Sequence, residues 1–114
     1  MILEGESFDD ARRRAVEIAD HDGLNLVHGF DDARVVAGQG TMALEVLEDV
    51  PDVDAIVVPT GGAGLLAGVA TAAKSLRPGI RIIAVEPTAA GSLSASLAAG
   101  RPVQVPTRPT LADG

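Results

Sequence analysis

The sequence predicts an α/β fold, a parallel sheet built into three layers with helices, and three observations carry that expectation. The run Asp54-Ala55-Ile56-Val57-Val58-Pro59 is continuously apolar over the length of a strand, the pattern of a central parallel strand covered on both faces. Gly61-Gly62-Ala63-Gly64 follows at once and leads into a helical stretch from about Leu65 to Leu76, stopped by Pro78 and Gly79. Ile80 to Val85 is again strand-like. The unit from Ala55 to Val85 therefore has the length and order of a right-handed strand-helix-strand crossover, which makes its two strands parallel.

The flanking elements fit the same alternation. From Ser7 to His21 the pattern is helical: Ser7 is a capping residue, Asp9 and Asp10 fall in the first turn, and Ala11, Ala15, Ile18 and Ala19 form an apolar stripe. Gly23 ends that helix, and Leu24 to His28 reads as a short strand. After a loop at Gly29-Phe30-Asp31-Asp32, a second helix holds Met42, Leu44, Val46 and Leu47 and ends before Pro51. A last helix is expected from Ser92 to Ala99, closed by Gly100. Arg101 to Gly114, with three prolines, reads as extended loop.

Composition narrows the function. The 114 residues make about one domain, with an aliphatic core, since Phe8 and Phe30 are the only aromatic side chains. No cysteine is present, so disulfides and thiolate metal sites are excluded. A formal net charge of −7 argues against binding nucleic acid or an anionic membrane surface. No apolar run reaches the roughly 18 residues of a membrane span, and the chain reads as soluble and cytoplasmic.

The glycine-rich turn is the candidate binding site. Between a buried strand and a helix, bare backbone lets N–H groups approach an anion, and the helix adds the positive end of its dipole. Gly64, Gly68 and Ala72 recur every four residues and would let the helix lie close to the sheet. Two ligands compete for such a turn. Gly62-Ala63-Gly64-Leu65-Leu66-Ala67 fits a dinucleotide-binding fingerprint, and Glu86 closes the next strand where a ribose-binding acid would sit. A single phosphate, as on pyridoxal 5'-phosphate (PLP), needs the same cradle. Local geometry leaves both open.

The wider sequence carries a resemblance. Gly38-Gln39-Gly40-Thr41-Met42-Ala43-Leu44-Glu45 is similar to a stretch of the PLP-dependent threonine/serine dehydratases, which include serine racemase-like members and adopt PLP fold type II. So are Val27-His28 before Phe30-Asp31-Asp32, Val53-Asp54 before the buried strand, Val85-Glu86-Pro87 after the crossover, and Leu111-Ala112-Asp113-Gly114. The resemblance implies that Gly61, Gly62, Ala63, Gly64 and Leu65 form the loop whose N–H groups hold the PLP phosphate. Ala63 stands where the family has glycine. We expect position 63 to lie in the helix entry, where alanine is harmless; at positive φ it would cost roughly 1 kcal/mol or more.

The resemblance also implies limits. Glu86 coincides with a carboxylate that holds a divalent cation in serine racemase-like members, but the acid six residues on is here Ser92, a poor ligand for a hard cation. No metal centre is expected, and Glu86 is read as a polar strand end. His28 is read as structural and His21 as a surface residue at a helix end. The lysine that bonds the PLP aldehyde has no counterpart. Lys74, the single lysine, lies ten residues beyond Gly64, about 15 Å along the helix, and is expected to face solvent. Residues 1–22 are then the closing helix of a small domain and 23–114 part of the PLP-binding large domain. The implied parent activity is α,β-elimination of L-threonine or L-serine to a 2-oxo acid and ammonia, a step of isoleucine biosynthesis, to which this chain contributes phosphate anchoring and no catalytic residue. Serine racemase and threonine synthase-like activities are the family alternatives, and a non-catalytic dinucleotide- or phospho-ligand-binding module is the alternative outside it. The partners expected are PLP, an amino-acid substrate in the full-length enzyme, and either a missing N-terminal half or a second copy of the chain.

Overall fold

The computed structural model describes residues 1–112, so Asp113 and Gly114 of the Leu111–Gly114 motif lie outside the described residues. The elements run α1 (Phe8–Asp22), α2 (Ala33–Asp49), β1 (Ala55–Pro59), α3 (Gly64–Leu76), β2 (Arg81–Val85), a 3₁₀ turn (Thr88–Ala90) and α4 (Ser92–Ala99). Local chemistry sets most boundaries. The Ser7 hydroxyl accepts the Asp10 N–H to start α1, and Gly23, at φ 65°, ends it in the left-handed conformation. Asp32 caps α2 by accepting the Arg34 N–H. Gly100, at φ 64°, closes α4.

β1 and β2 pair in parallel with Ala55 opposite Arg81 and Pro59 opposite Val85, and α3 makes the crossover between them. The α/β class with a parallel sheet is therefore as expected. The core lies on one side of the sheet, where Ala43 and Leu47 of α2, Val69 and Ala73 of α3, and Val58 and Ile80 form one buried cluster. Side chains alternate along a strand, so Val57, Ile83 and Val85 point to the other side, and there they are exposed. The apolar run thus has cover from this chain on one face only, a departure from the two-sided burial read from it.

Two further expectations change. Leu24–His28 forms no strand: it makes no ladder with β1 or β2, and Leu24, Leu26 and Val27 are exposed. Apolar residues of strand length stay irregular where no neighbouring strand takes up their backbone groups. The stripe of Gly64, Gly68 and Ala72 does not bring α3 down on the sheet. It faces α2 and the loop before it: a Cβ at Gly68 would overlap Val36 O and Gly40 N, and one at Gly40 would stand 3.1 Å from Gly68 O and 3.5 Å from Ala72 Cβ. Two helix backbones meet closely at these glycines. Along α1 only Ala19 of the apolar stripe is buried, while Ala11 and Ala15 are exposed.

Candidate functional site

The loop Gly61–Ala63 leaves the carboxyl end of β1 and enters α3 at Gly64, the end at which open α/β sheets bind ligands. Its position is fixed from both sides. The Thr60 N–H donates to Val85 O at 2.7 Å, which carries the ladder one residue past β1, and buried Thr60 donates its hydroxyl to Val58 O. On the α3 side, Ala67 N–H donates to Ala63 O at 2.8 Å. Among the described residues, no protein acceptor takes the N–H of Gly61, Gly62, Ala63, Gly64, Leu65 or Leu66. Unlike α1 and α2, α3 has no capping side chain either. The result is a run of free backbone donors at the positive end of a helix.

Ala63 sits at φ 64° and ψ 2°, the one non-glycine residue in the left-handed region among those described. The expectation that it lies within the helix entry is therefore wrong. It is the turn residue before the helix, and alanine there carries a cost of about 1 kcal/mol from its Cβ. Gly61 and Gly62 are not in that region.

Phe30 packs against the loop and shares with it the lining of one groove. A Cβ at Gly62 would overlap the Phe30 ring, and one at Gly64 would meet Phe30 O at 2.8 Å. Phe30 is held by His28, whose Nδ1 accepts the N–H of Phe30 at 3.3 Å and of Asp31 at 2.9 Å, with the two rings edge to face at 4.6 Å. His28 is thus a structural residue, as read. Phe30 was missed, because nothing in the sequence around it says which glycines it will touch.

In front of the loop is a wide open groove of about 1360 Å³, whose walls include Thr60, Gly61, Gly62 and Ala63, Glu86 and Leu93. A second, apolar crevice of about 50 Å³ lies among Met42, Val46, Val57 and Leu65, away from any charged group. Of the two, the groove is the one walled by the loop's free donors.

Glu86 is occupied. Its carboxylate accepts the N–H of Leu93 and of Ser94, each at 2.8 Å, and the Ser94 hydroxyl, so it caps α4 from outside the helix. These donors, the Ser94 hydroxyl foremost, hold the Glu86 carboxyl below its ordinary range. It is more than the polar strand end read from the sequence, and the contact, seven residues away in the chain, has no local signature. No three His, Cys, Asp or Glu side chains converge among the described residues. Lys74 is exposed at the far end of α3, where its Nζ donates to Ile80 O at 2.9 Å.

The model of the family described as pyridoxal-phosphate dependent enzyme matches residues 1–114. The chain belongs to that family. The PLP-dependent enzymes it is similar to include the L-threonine ammonia-lyase of Geobacter sulfurreducens, 52% identical over the whole of this chain and 28% of that protein. The serine racemase of Arabidopsis thaliana is 48% identical over 88% of this chain and 30% of that protein. Among solved structures, the processed form of threonine deaminase isoform 2 from Solanum lycopersicum superposes with a TM-score of 0.91 at 42% identity, over 98% of this chain and 33% of that one. The PLP-dependent fold type II expected of the chain is the fold it shares with these neighbours. The chain spans about three tenths of the length of the relatives it matches. Against PLP, the family's cofactor, its residues divide. The Gly61–Leu65 segment has what a phosphate requires, a run of unpaired backbone donors. The aldehyde end has no lysine, since Lys74 caps the Ile80 carbonyl at the other end of α3.

Proposed function

We propose that this chain is the phosphate-anchoring segment of a PLP-dependent threonine/serine ammonia-lyase, and that Gly61, Gly62, Ala63, Gly64 and Leu65 hold the PLP phosphate through their backbone N–H groups. The observation that carries the reading is the run of unpaired donors at the start of α3, where the helix dipole adds to them. When bound, PLP supplies the electron sink that acidifies the α C–H of an amino acid. This chain's part is to bind and orient. The rigid join of β1 to α3 sets where the phosphate sits, and Glu86, by holding α4, sets one wall of the groove. The parent reaction is α,β-elimination of L-threonine or L-serine to a 2-oxo acid and ammonia, in the cytoplasm and in the service of isoleucine biosynthesis. Residues 1–22 close a small domain and 23–114 form part of the large one. The remaining catalytic groups, the lysine first, come from sequence this chain does not contain.

A dinucleotide site is the weaker reading. It needs Glu86 free to accept from a ribose hydroxyl, and Glu86 is already bound to the start of α4. No helix of the described residues is long and apolar enough to cross a membrane. The test of the proposal is a phosphate titration followed at the loop amides.

A further inference from the structure

Gly62 has no positive φ and so has no conformational need to be glycine. What it cannot carry is a side chain, because its Cβ would overlap Cγ, Cδ1 and Cδ2 of Phe30. At Gly64 the neighbours are Phe30 O at 2.8 Å and Phe30 Cα and Cβ at 2.9 Å. Two loop positions two residues apart therefore rest on one residue, from a segment more than thirty positions earlier in the chain. That residue is itself fixed. Its N–H and that of Asp31 converge on His28 Nδ1, its ring takes the His28 ring edge-on, and Phe8 approaches to 6.3 Å between ring centres. Phe30 and the loop residues Gly61, Gly62 and Ala63 line one groove.

We propose that Phe30 is a positioning residue for anion binding by the Gly61–Leu65 loop. The proposal rests on the reading of that loop as a phosphate site. Two consecutive glycines leave the backbone at 61 and 62 with more freedom than any other residue pair, and ordering them on a ligand costs affinity. A flat ring, clamped by His28 and pressed on Gly62, removes that freedom before the anion arrives. A phenyl ring offers an anion no N–H or O–H donor, so Phe30, although it lines the groove, acts through the loop. The same contact explains which positions are glycine. Residue 62 is glycine because the ring fills the space of its side chain.

The test uses the 114-residue chain, inorganic phosphate as probe, and four backgrounds: wild type, Phe30→Ala, Gly62→Ala and the double variant. Phe30→Leu is added in case Phe30→Ala fails to fold. Titrations are read from the loop amides at a temperature where the α2–α3 core signals show each variant folded. Phe30→Ala, or Phe30→Leu in its place, is expected to weaken phosphate binding about tenfold. Gly62→Ala should weaken it about as much alone, but less than about twofold further once the ring is gone, because the new methyl then has room. Unchanged affinity in the folded Phe30 variants, or independent effects of the two substitutions, would overturn the positioning role while leaving the phosphate site standing. Failure of the wild type to bind phosphate at the loop would overturn the site itself and the proposal with it.

Discussion

At the scale of the residue, Ala63 is the informative position. It holds a left-handed turn, φ 64°, that glycine takes without strain. The usual penalty for placing glycine in a chain, the greater freedom of its unfolded state, is here set against removal of a Cβ clash of about 1 to 2 kcal/mol. Ala63→Gly is therefore expected to leave stability unchanged or raise it by up to about 1 kcal/mol, where an ordinary alanine-to-glycine change destabilises. Denaturant unfolding of the two proteins measures this; a loss of stability would mean that the backbone at 63 is not left-handed. The sequence placed this loop correctly between β1 and α3. It misjudged the conformation at 63, and it did not show the packing of α3 on α2, where Gly40 meets Gly68. No local pattern reports a contact between segments so far apart.

At the scale of the element, helix ends were legible where the capping residue is adjacent in sequence and typical of its position, as at Ser7 and the glycines 23 and 100. They were not where the cap comes from elsewhere, as with Glu86 on α4. Strands were legible where they pair and overcalled at Leu24–His28, where apolar residues lack a neighbour. The start of α2 gives a pH test. Asp32 accepts the Arg34 N–H at 2.8 Å and binds the Arg34 guanidinium at 2.7 Å, and that guanidinium holds its carboxyl down at about 2. A carboxyl depressed in the folded state stabilises fully above its unfolded value, near 3.8, and loses that contribution as pH falls through about 2. Asp32→Asn should therefore be less stable than wild type at neutral pH, and the difference should shrink between pH 4 and pH 2. Midpoints of denaturant unfolding across that range check it; a gap independent of pH would mean the Arg34 contacts do not persist in solution.

At the scale of the molecule, the chain is loosely built for its size. Its radius of gyration is 16.3 Å, against about 13 Å for a self-contained domain of some hundred residues. Among the described residues the sheet has two strands, both with an open edge, and pairs of strands alone are marginal in water. Val57, Ile83 and Val85 lie exposed on its uncovered face, 61%, 42% and 52% accessible. Open edges pair with other strands and uncovered apolar faces find cover. We expect the isolated chain to associate into dimers or larger soluble species, and to fold better alongside the N-terminal part of a related enzyme. Sedimentation over a concentration series decides this. A monomer at all concentrations with a cooperative melt, indifferent to that second part, would mark a self-sufficient binding domain.

The central claim is that the backbone of Gly61–Leu65 takes a phosphate. The most direct measurement is a titration of the chain with inorganic phosphate, followed by the amide resonances of every residue. The predicted result is a saturable shift concentrated at Gly61, Gly62, Ala63, Gly64 and Leu65, abolished by Gly62→Val. Shifts centred on another part of the chain, with this loop unmoved, would contradict it.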